Sequence, residues 1–571
     1  MNIVKKIILV ISIFPLILQG QTKDKPKENW QNLDLQRDGV MGISTEKAYE
    51  LLKNKKSNPV VVAVIDGGID EEHEDLKSIM WKNLSEISGN GKDDDKNGYV
   101  DDVFGWNFIG SKEATVRYDN LEVVRLVRSL QDRYASIVNS SPLSDEERKE
   151  FSQYKKMVTD YMTKLENARR GYESYTVLKK TTDEIVSKIG KQIPTTRDFD
   201  NYKAVNDLES RVLKAIKSEM KKEKDYVAFK KELDEAYEYF SSQVNYHLNI
   251  DFDPRDSVKD NYANAFEKIY GNQDVTGPDA KHGTHVAGII AAVRGNQIGV
   301  KGIADNAKIM AIRAVPDGDE RDKDVANAIR YAVDNGAKVI NMSFGKAYSW
   351  NKAAVDSAVK YAALKDVLLV HAAGNDGINT DREVNYPNRI FGDITPKERP
   401  VVDVPVNNNN SNMGGMNRTP RPAKLEPDTT RFTFPKAANW IEVGASGWNN
   451  DESLVADFSN FGKRSVDVFA PGVKVNSTIP GSKYDAFDGT SMASPVVSGL
   501  AALIRSYYPS LSAVQVKDII IRSVTRIDHK VKIREEGSKR NVRLDEISVS
   551  GGVVNAYNAI QLASQISSAS L

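Results

Sequence analysis

Val60-Val-Val-Ala-Val-Ile-Asp66-Gly67-Gly68-Ile-Asp70 is the stretch from which the fold can be read. Its apolar residues run without polar alternation, so the strand they form must be covered on both faces, as strands of parallel sheets are. An aspartate closes the run and two glycines break it. Runs of the same character recur at 307–315, 338–343, 367–373 and 440–446, with helical periodicity between them at 284–293, 324–335 and 353–364. The second of these helices ends in Asn335-Gly336, a C-cap signal. The fold class is therefore α/β, a doubly wound, mostly parallel sheet. Such sheets carry their chemistry at the C-terminal strand ends, which is where Asp66 lies.

The chain has 571 residues, 40% apolar and 28% charged, and its 79 basic and 79 acidic side chains balance. That composition excludes fibrous and wholly disordered classes, and without a basic surplus no nucleic acid partner is expected. The absence of cysteine excludes disulfides, thiolate metal sites and a cysteine nucleophile. At the N-terminus, Lys5 and Lys6 precede an apolar run, 7–18, broken only by Ser12. This predicts a signal peptide over residues 1–20, then an N-terminal extension, 21–58. The expected address is secreted, periplasmic or extracellular, with no integral membrane segment left after signal cleavage.

Two stretches interrupt the α/β pattern. Residues 111–252 are charged and nearly free of glycine, with apolar positions at helical spacing: Phe151, Tyr154, Val158, Tyr161 and Leu165, then Phe229, Leu233, Tyr237, Phe240 and Val244. Ser144-Asp-Glu-Glu147 reads as a capping box. We expect an inserted α-helical bundle of three to five helices packed as antiparallel hairpins, serving either as a spacer or as a lid over the cleft. Residues 377–435, rich in Asn, Gly and Pro, read as a loop insertion. The α/β domain then comprises 59–110 and 253–566.

Two further motifs turn the argument from fold to chemistry: Lys281-His282-Gly-Thr-His285-Val-Ala-Gly288 and Phe487-Asp-Gly-Thr-Ser491-Met-Ala-Ser-Pro495. With the Asp66 segment and Ala373-Gly374-Asn375, in this order, they closely resemble the catalytic segments of the subtilisin-like serine peptidases, the subtilases. A serine hydroxyl needs an imidazole to take its proton, and the imidazole needs a buried carboxylate to fix its tautomer. The resemblance implies these roles for Ser491, His282 and Asp66, with the Asn375 side chain as oxyanion donor. Pro495 suits the first turn of a helix opened by Ser491. His285, three residues past His282, reads as structural.

The same resemblance implies that Ser343, Phe344 and Gly345, together with Ala373 and Gly374, flank an extended peptide substrate. Gly345 and Gly374 would leave the mouth of the pocket open. It also implies a calcium site at Asp75 with the loop Arg294, Asn296, Ile298 and Val300, where a carboxylate, an Asn side chain and carbonyls suit a hard cation. A second calcium candidate, Asp93, Asp95, Asn97 and Asp102, has oxygen ligands at alternate positions but lacks a closing glutamate, and a solvated acidic turn is the other reading.

Three departures stand out. Gly67 occupies the position where many relatives carry Ser or Thr, the span from Asp66 to His282 is long, and the 21–58 extension is too short for the usual folding propeptide. The expected function is a secreted serine endopeptidase acting on proteins or peptides through an acyl-enzyme. The alternative is a catalytically silent peptide-binding protein of the same fold.

Overall fold

The structure, a computed structural model, describes residues 25–137, 142–223, 225–392, 435–535 and 537–569. The expected signal peptide and residues 393–434 of the expected loop insertion lie outside them.

Short helices α1 (Leu35–Asp38) and α2 (Thr45–Leu52) precede strands β1 (Val60–Asp66) and β2 (Gly105–Asn107). Then come α3 (Glu122–Tyr134), α4 (Asp145–Ile189), α5 (Thr196–Asn201), α6 (Asp207–Glu223) and α7 (Tyr226–Ser242), which runs into a π turn (Gln243–His247). The α/β pattern resumes with α8 (Lys281–Ala291), β3 (Ala307–Arg313), α9 (Asp322–Asp334), β4 (Val339–Met342), α10 (Lys352–Leu364), β5 (Leu368–Ala372), β6 (Trp440–Ser446) and β7 (Val468–Pro471). A hairpin of β8 (Val475–Ile479) and β9 (Lys483–Phe487) leads into α11 (Thr490–Tyr507) and α12 (Ala513–Arg522). The chain closes with β10 (Thr525–Arg526), β11 (Val531–Glu535), β12 (Ser538–Val542), β13 (Gly552–Val553) and α13 (Ala556–Ala569).

Among the described residues, nine strands form one sheet in the order β10-β13-β7-β6-β5-β4-β1-β3-β2, parallel except for β10 against β13. The unalternating pattern of β1 is explained by its surroundings. Val60, Val62 and Val64 pack with Val286 and Ile289 of α8 and Val496 of α11, whereas Ala63 and Ile65 pack with Ile329 of α9 and Val355 of α10. Each such buried branched side chain contributes roughly 1.5–3 kcal/mol. From β3 the chain crosses β1 to reach β4, so the order reverses beside β1, and a crevice opens at its C-terminal end. β3 stops at Arg313 because Ala314 and Val315 turn to donate both backbone N–H groups to the Asp66 carbonyl, at 3.0 and 3.2 Å.

The apolar stripes of the helical segment form its own two cores. Phe151, Tyr154, Tyr161 and Leu165 of α4 pack on Val123 and Val127 of α3, while Phe229 and Leu233 of α7 pack with Ile185, Phe199 and Ile216. Rather than a set of short hairpins, one 45-residue helix, α4, runs through both cores. At 1.5 Å per residue it is about 68 Å long. The Ser144/Glu147 capping box opens it and Gly190, at φ 74°, ends it.

Buried ion pairs hold the root of this segment to the α/β core. Lys346, just past β4, is 4% exposed, and its Nζ lies 2.7 Å from Glu122 of α3 and 2.8 Å from Asp322 of α9. Arg321 pairs with Asp119 at 2.7 Å, and Arg255 with Asp324 at 2.6 Å. Removing one member strands the others, which typically costs about 3–5 kcal/mol. Lys346→Met should therefore lower unfolding stability in urea by that amount, and adding Glu122→Gln should restore part of it. A loss below about 1 kcal/mol would show that the pairs behave as solvated ones do.

The 21–58 extension, as far as it is described, belongs to the core. Trp30, Val40, Ile43, Ala48 and Leu52 are buried in the same cluster as β1 and α11. Met41 N–H donates to the Trp448 carbonyl at 2.9 Å, and the Ile43 carbonyl accepts from Ala556 N–H at 2.6 Å. Among the described residues, no helix is long and apolar enough to cross a membrane.

Candidate active site

Asp66 ends β1 and is 3% exposed. His282 sits in the first turn of α8, and its Nδ1 lies 2.8 Å from Asp66 Oδ1 and 2.9 Å from Oδ2, so Nδ1 carries the proton and the carboxylate accepts it. Burial pulls the imidazole pKa down, but the Asp66 charge and hydrogen bond outweigh it, and the net shift is upward. The close approach of helix to strand requires Gly283: a Cβ there would lie 2.2 Å from the Gly68 carbonyl oxygen. Gly67 donates its N–H to Asp66 Oδ1 at 2.8 Å. A Cβ at Gly67 would come within 3.0 Å of the Val315 carbonyl oxygen, a steric reason for glycine here. His285, fully buried, bonds the Asp485 carbonyl at 3.0 Å and stacks on Phe487, and burial pushes its pKa down to about 3. It ties α8 to the hairpin.

Ser491 is the second residue of α11. Pro495 falls in the second turn of that helix, not the first, because the helix already begins at Thr490. Its position matters: a proline there has no N–H for the carbonyl four residues back, which is that of Ser491. Ser343 Oγ donates to this carbonyl instead, at 3.0 Å, and Ser491 Oγ donates to the Ser343 carbonyl at 3.2 Å. The two serines thus lock the start of α11 to the end of β4. Asn375 lies just past β5, and its Oδ1 accepts from Thr490 N–H at 2.8 Å and from Thr490 Oγ1 at 2.9 Å. With the oxygen committed, the Nδ2 amide donates to no partner among the described residues.

Asp66, Gly67, His282 and Ser343 line a cleft of roughly 400 Å³. Gly345 and Gly374 do not hold the pocket mouth open as expected. A Cβ at Gly345 would meet Asn385 Nδ2 at 2.7 Å, and one at Gly374, φ 103°, would meet Asn460 Nδ2 at 2.4 Å. These glycines admit the two asparagines. Phe344 turns its ring edge toward His371 at 6.3 Å, and Ala373 is fully buried. The segment beyond Gly345 pairs with Tyr386 through two 2.8 Å bonds at Lys346.

Of the first calcium candidate, the structure brings together Asp75, Asn296 and Val300. Asn296 Nδ2 donates to Asp75 Oδ1 at 2.6 Å, Val300 N–H donates to Oδ2 at 3.1 Å, and Ile298 N–H donates to Asn296 Oδ1. The Arg294 side chain leaves the group: its guanidinium pairs with Glu46 at 2.7 Å, bonds the Gly302 carbonyl and lies over Tyr49. Of Arg294, then, only the backbone carbonyl is a ligand for a cation. Asp75 is fully buried with no ion-pair partner among the described residues, and that carboxylate, the Asn296 amide and nearby carbonyls fit a calcium ion.

In the second candidate Asp93 closes its own turn, accepting from Asn97 and Gly98 N–H groups. Asp95 and Asp102 instead converge with Glu86, their carboxylate oxygens within 4.8 Å of one another. Asn97 Nδ2 bonds both aspartates. Burial raises the Asp102 pKa to about 6, against the hydrogen bonds from Tyr331, Asn83 and Asn97. Glu86 escaped the sequence reading, which looked for a glutamate after the loop. It stands before it.

The family model described as the Subtilase family matches residues 57–543. The thermophilic serine proteinase of Bacillus sp. (strain AK1) is 38% identical over 226 residues, covering 39% of this chain and 42% of that protein. Subtilisin BL of Lederbergia lenta is 33% identical over 43% of this chain and 71% of its own length. The alkaline protease of Alkalihalobacillus alcalophilus is 33% identical over 43% of this chain and 50% of that protein. The matches thus span between about two fifths and seven tenths of these relatives.

Proposed function

The chain belongs to the subtilase family, and from that premise we propose that it is a secreted serine endopeptidase that cleaves protein or peptide substrates through Asp66, His282 and Ser491. One observation carries the reading: a buried carboxylate bonded through both oxygens to an imidazole, in the fold that also sets an uncommitted Asn375 amide beside a serine at a helix start. Substrate binding turns the Ser491 hydroxyl from the Ser343 carbonyl toward His282, which takes its proton as the oxygen attacks the scissile carbonyl. Asn375 Nδ2 and the Ser491 N–H receive the developing oxyanion. The imidazolium, steadied by Asp66, protonates the leaving amine, and water then hydrolyses the acyl-enzyme by the same steps in reverse. The peptide lies along the edges formed by Ser343, Phe344 and Gly345 on one side and Ala373 and Gly374 on the other.

A fluorophosphonate probe tests this directly. The full-length protein should be labelled at Ser491 and should cleave peptides, whereas a peptide-binding protein of the same fold would bind them and remain unlabelled. Amino-terminal sequencing of the exported protein should begin at or near residue 21; a start at Met1 would remove the signal peptide from the reading.

Calcium belongs to the same reading, held by Asp75, Asn296 and the adjoining carbonyls, as a brace of the loop and not as a participant in the reaction. Glu86, Asp95 and Asp102 are a second place for it. An ion bound only by the native state adds about 2.7 kcal/mol at 100 times its dissociation constant. The thermal midpoint should therefore rise in millimolar calcium relative to chelator, and Asp75→Asn should remove most of that rise. Equal midpoints in calcium and chelator would dismiss the site.

A further inference from the structure

The cleft beside His282 carries three basic side chains that the hydrolytic chemistry does not use: Arg117, Lys281 and Arg313. Arg117 comes from the root of the helical segment. Its carbonyl accepts from Asp317 N–H at 2.8 Å, and its guanidinium lies 4.8 Å from the ring centre of Tyr118, which stacks on Tyr246 at 4.1 Å. On α8, next to the imidazole, Lys281 holds its ammonium 4.9 Å from the ring centre of Phe487. Neither side chain has a carboxylate within ion-pair distance among the described residues. An aromatic face steadies a cation without neutralising it, so both charges remain available.

Arg313 stands behind them. It is 2% exposed, and its guanidinium donates to the Gly67 carbonyl at 2.6 Å, Thr115 Oγ1 at 2.6 Å, Asn107 Oδ1 at 3.1 Å and the Val116 carbonyl. All four acceptors are neutral, and burial draws its pKa down to about 10. Buried arginines are ordinarily matched by carboxylates, since an unpaired charge is expensive to desolvate.

The cleft also carries acidic residues, Asp66, Asp279 and Asp317. Asp66 is held by His282, whereas Asp317, its side chain 44% exposed, has only the His247 ring nearby, at 3.2 Å without a hydrogen bond. Asp274 and Asp279 are the counterweights: the fields of both reach Arg313, and Asp279 also accepts Lys281 N–H at 3.2 Å and acts on His282.

We propose that this cleft receives an acidic substrate side chain, whose carboxylate is bound between Arg117 and Lys281 with Arg313 behind it. The inference rests on the peptidase reading and names the substrate class for the same site. Arg117 lies at the root of the helical segment, held there by the Asp317 backbone and the Tyr118–Tyr246 stack, so the insertion contributes to selectivity.

The test compares internally quenched peptides identical except that each position in turn carries Glu, Gln or Lys. At one position the full-length protein should prefer Glu over Gln by about 10- to 50-fold in kcat/KM, as expected for one or two partly solvated charge pairs. Rising salt should shrink the ratio. Arg117→Gln with Lys281→Gln should bring it toward unity, while Arg117→Lys should keep most of it. Labelling and cleavage with equal rates for Glu and Gln at every position, or with Lys preferred through Asp279, would overturn the proposal and leave the peptidase reading intact. Should the parent neither label nor cleave, the peptidase reading falls, and fluorescence polarisation of the same peptides on full-length Ser491→Ala decides: tighter binding of the Glu peptide sustains the acidic pocket, and equal binding ends it.

Discussion

Full-length Ser491→Ala protein should hydrolyse a peptide reporter about a million-fold more slowly than the parent, because the three residues act as one unit and only the binding surface remains to catalyse. Stability should change little. The single hydrogen bond lost is that from Ser491 Oγ to the Ser343 carbonyl at 3.2 Å, worth about 1 kcal/mol, and the reverse bond from Ser343 Oγ to the Ser491 carbonyl survives. Titrating the residual rate with a fluorophosphonate separates true background from contaminating peptidase. A correctly folded variant retaining more than about a thousandth of the parental rate would place the nucleophile elsewhere.

Asp66→Asn should lose on the order of 10,000-fold in turnover, the effect typical of removing the carboxylate that orients such a histidine. The neutral amide can present its NH2 to Nδ1, which favours the tautomer with the proton on Nε2, where the base must be free. The pH profile should move as well. In the proposed mechanism the base is neutral His282, so the acid limb of activity should follow the imidazole pKa, which Asp66 raises against the pull of burial. Without the carboxylate that pKa falls, and the limb of kcat/KM shifts to lower pH. The same linkage has a stability side. A raised folded pKa stabilises the fold fully below the unfolded value of about 6.5, and the contribution disappears as pH rises through the folded pKa. The parent should therefore lose this increment on alkaline titration, and Asp66→Asn should not. A limb that stays in place in the variant would mean that the ionisation belongs to another group.

The fold was legible because covering both faces of a strand leaves a local mark. Residues 60–65 read as a strand from their unbroken apolar character, and 440–446 from an apolar run interrupted by Glu442; they fall in β1 and β6. The strings around Asp66, His282, Asn375 and Ser491 also stood out, and they lie at the end of β1, the start of α8, just past β5 and the start of α11. Boundaries were less so. The first turn of α8, which holds His282, lies before the residues where apolar periodicity begins.

What the chain order by itself determined, then, is the sheet, the family and the presence of a long helical segment, because periodicity and short motifs are properties of neighbouring residues. Contacts between distant residues were decided by the tertiary structure alone. Glu86 joins Asp95 and Asp102 from upstream of their loop, Asn385 and Asn460 fill the space that Gly345 and Gly374 provide, and Pro495 frees a carbonyl for Ser343. Trp30 packs into a cluster that also contains Val473. Arg117 reaches the cleft of His282 from 165 positions away in the chain (282 − 117). None of these residues carries a local signal of its partner, because burial, close approach and unpaired charge arise only when separate segments are brought to one place and water is excluded between them.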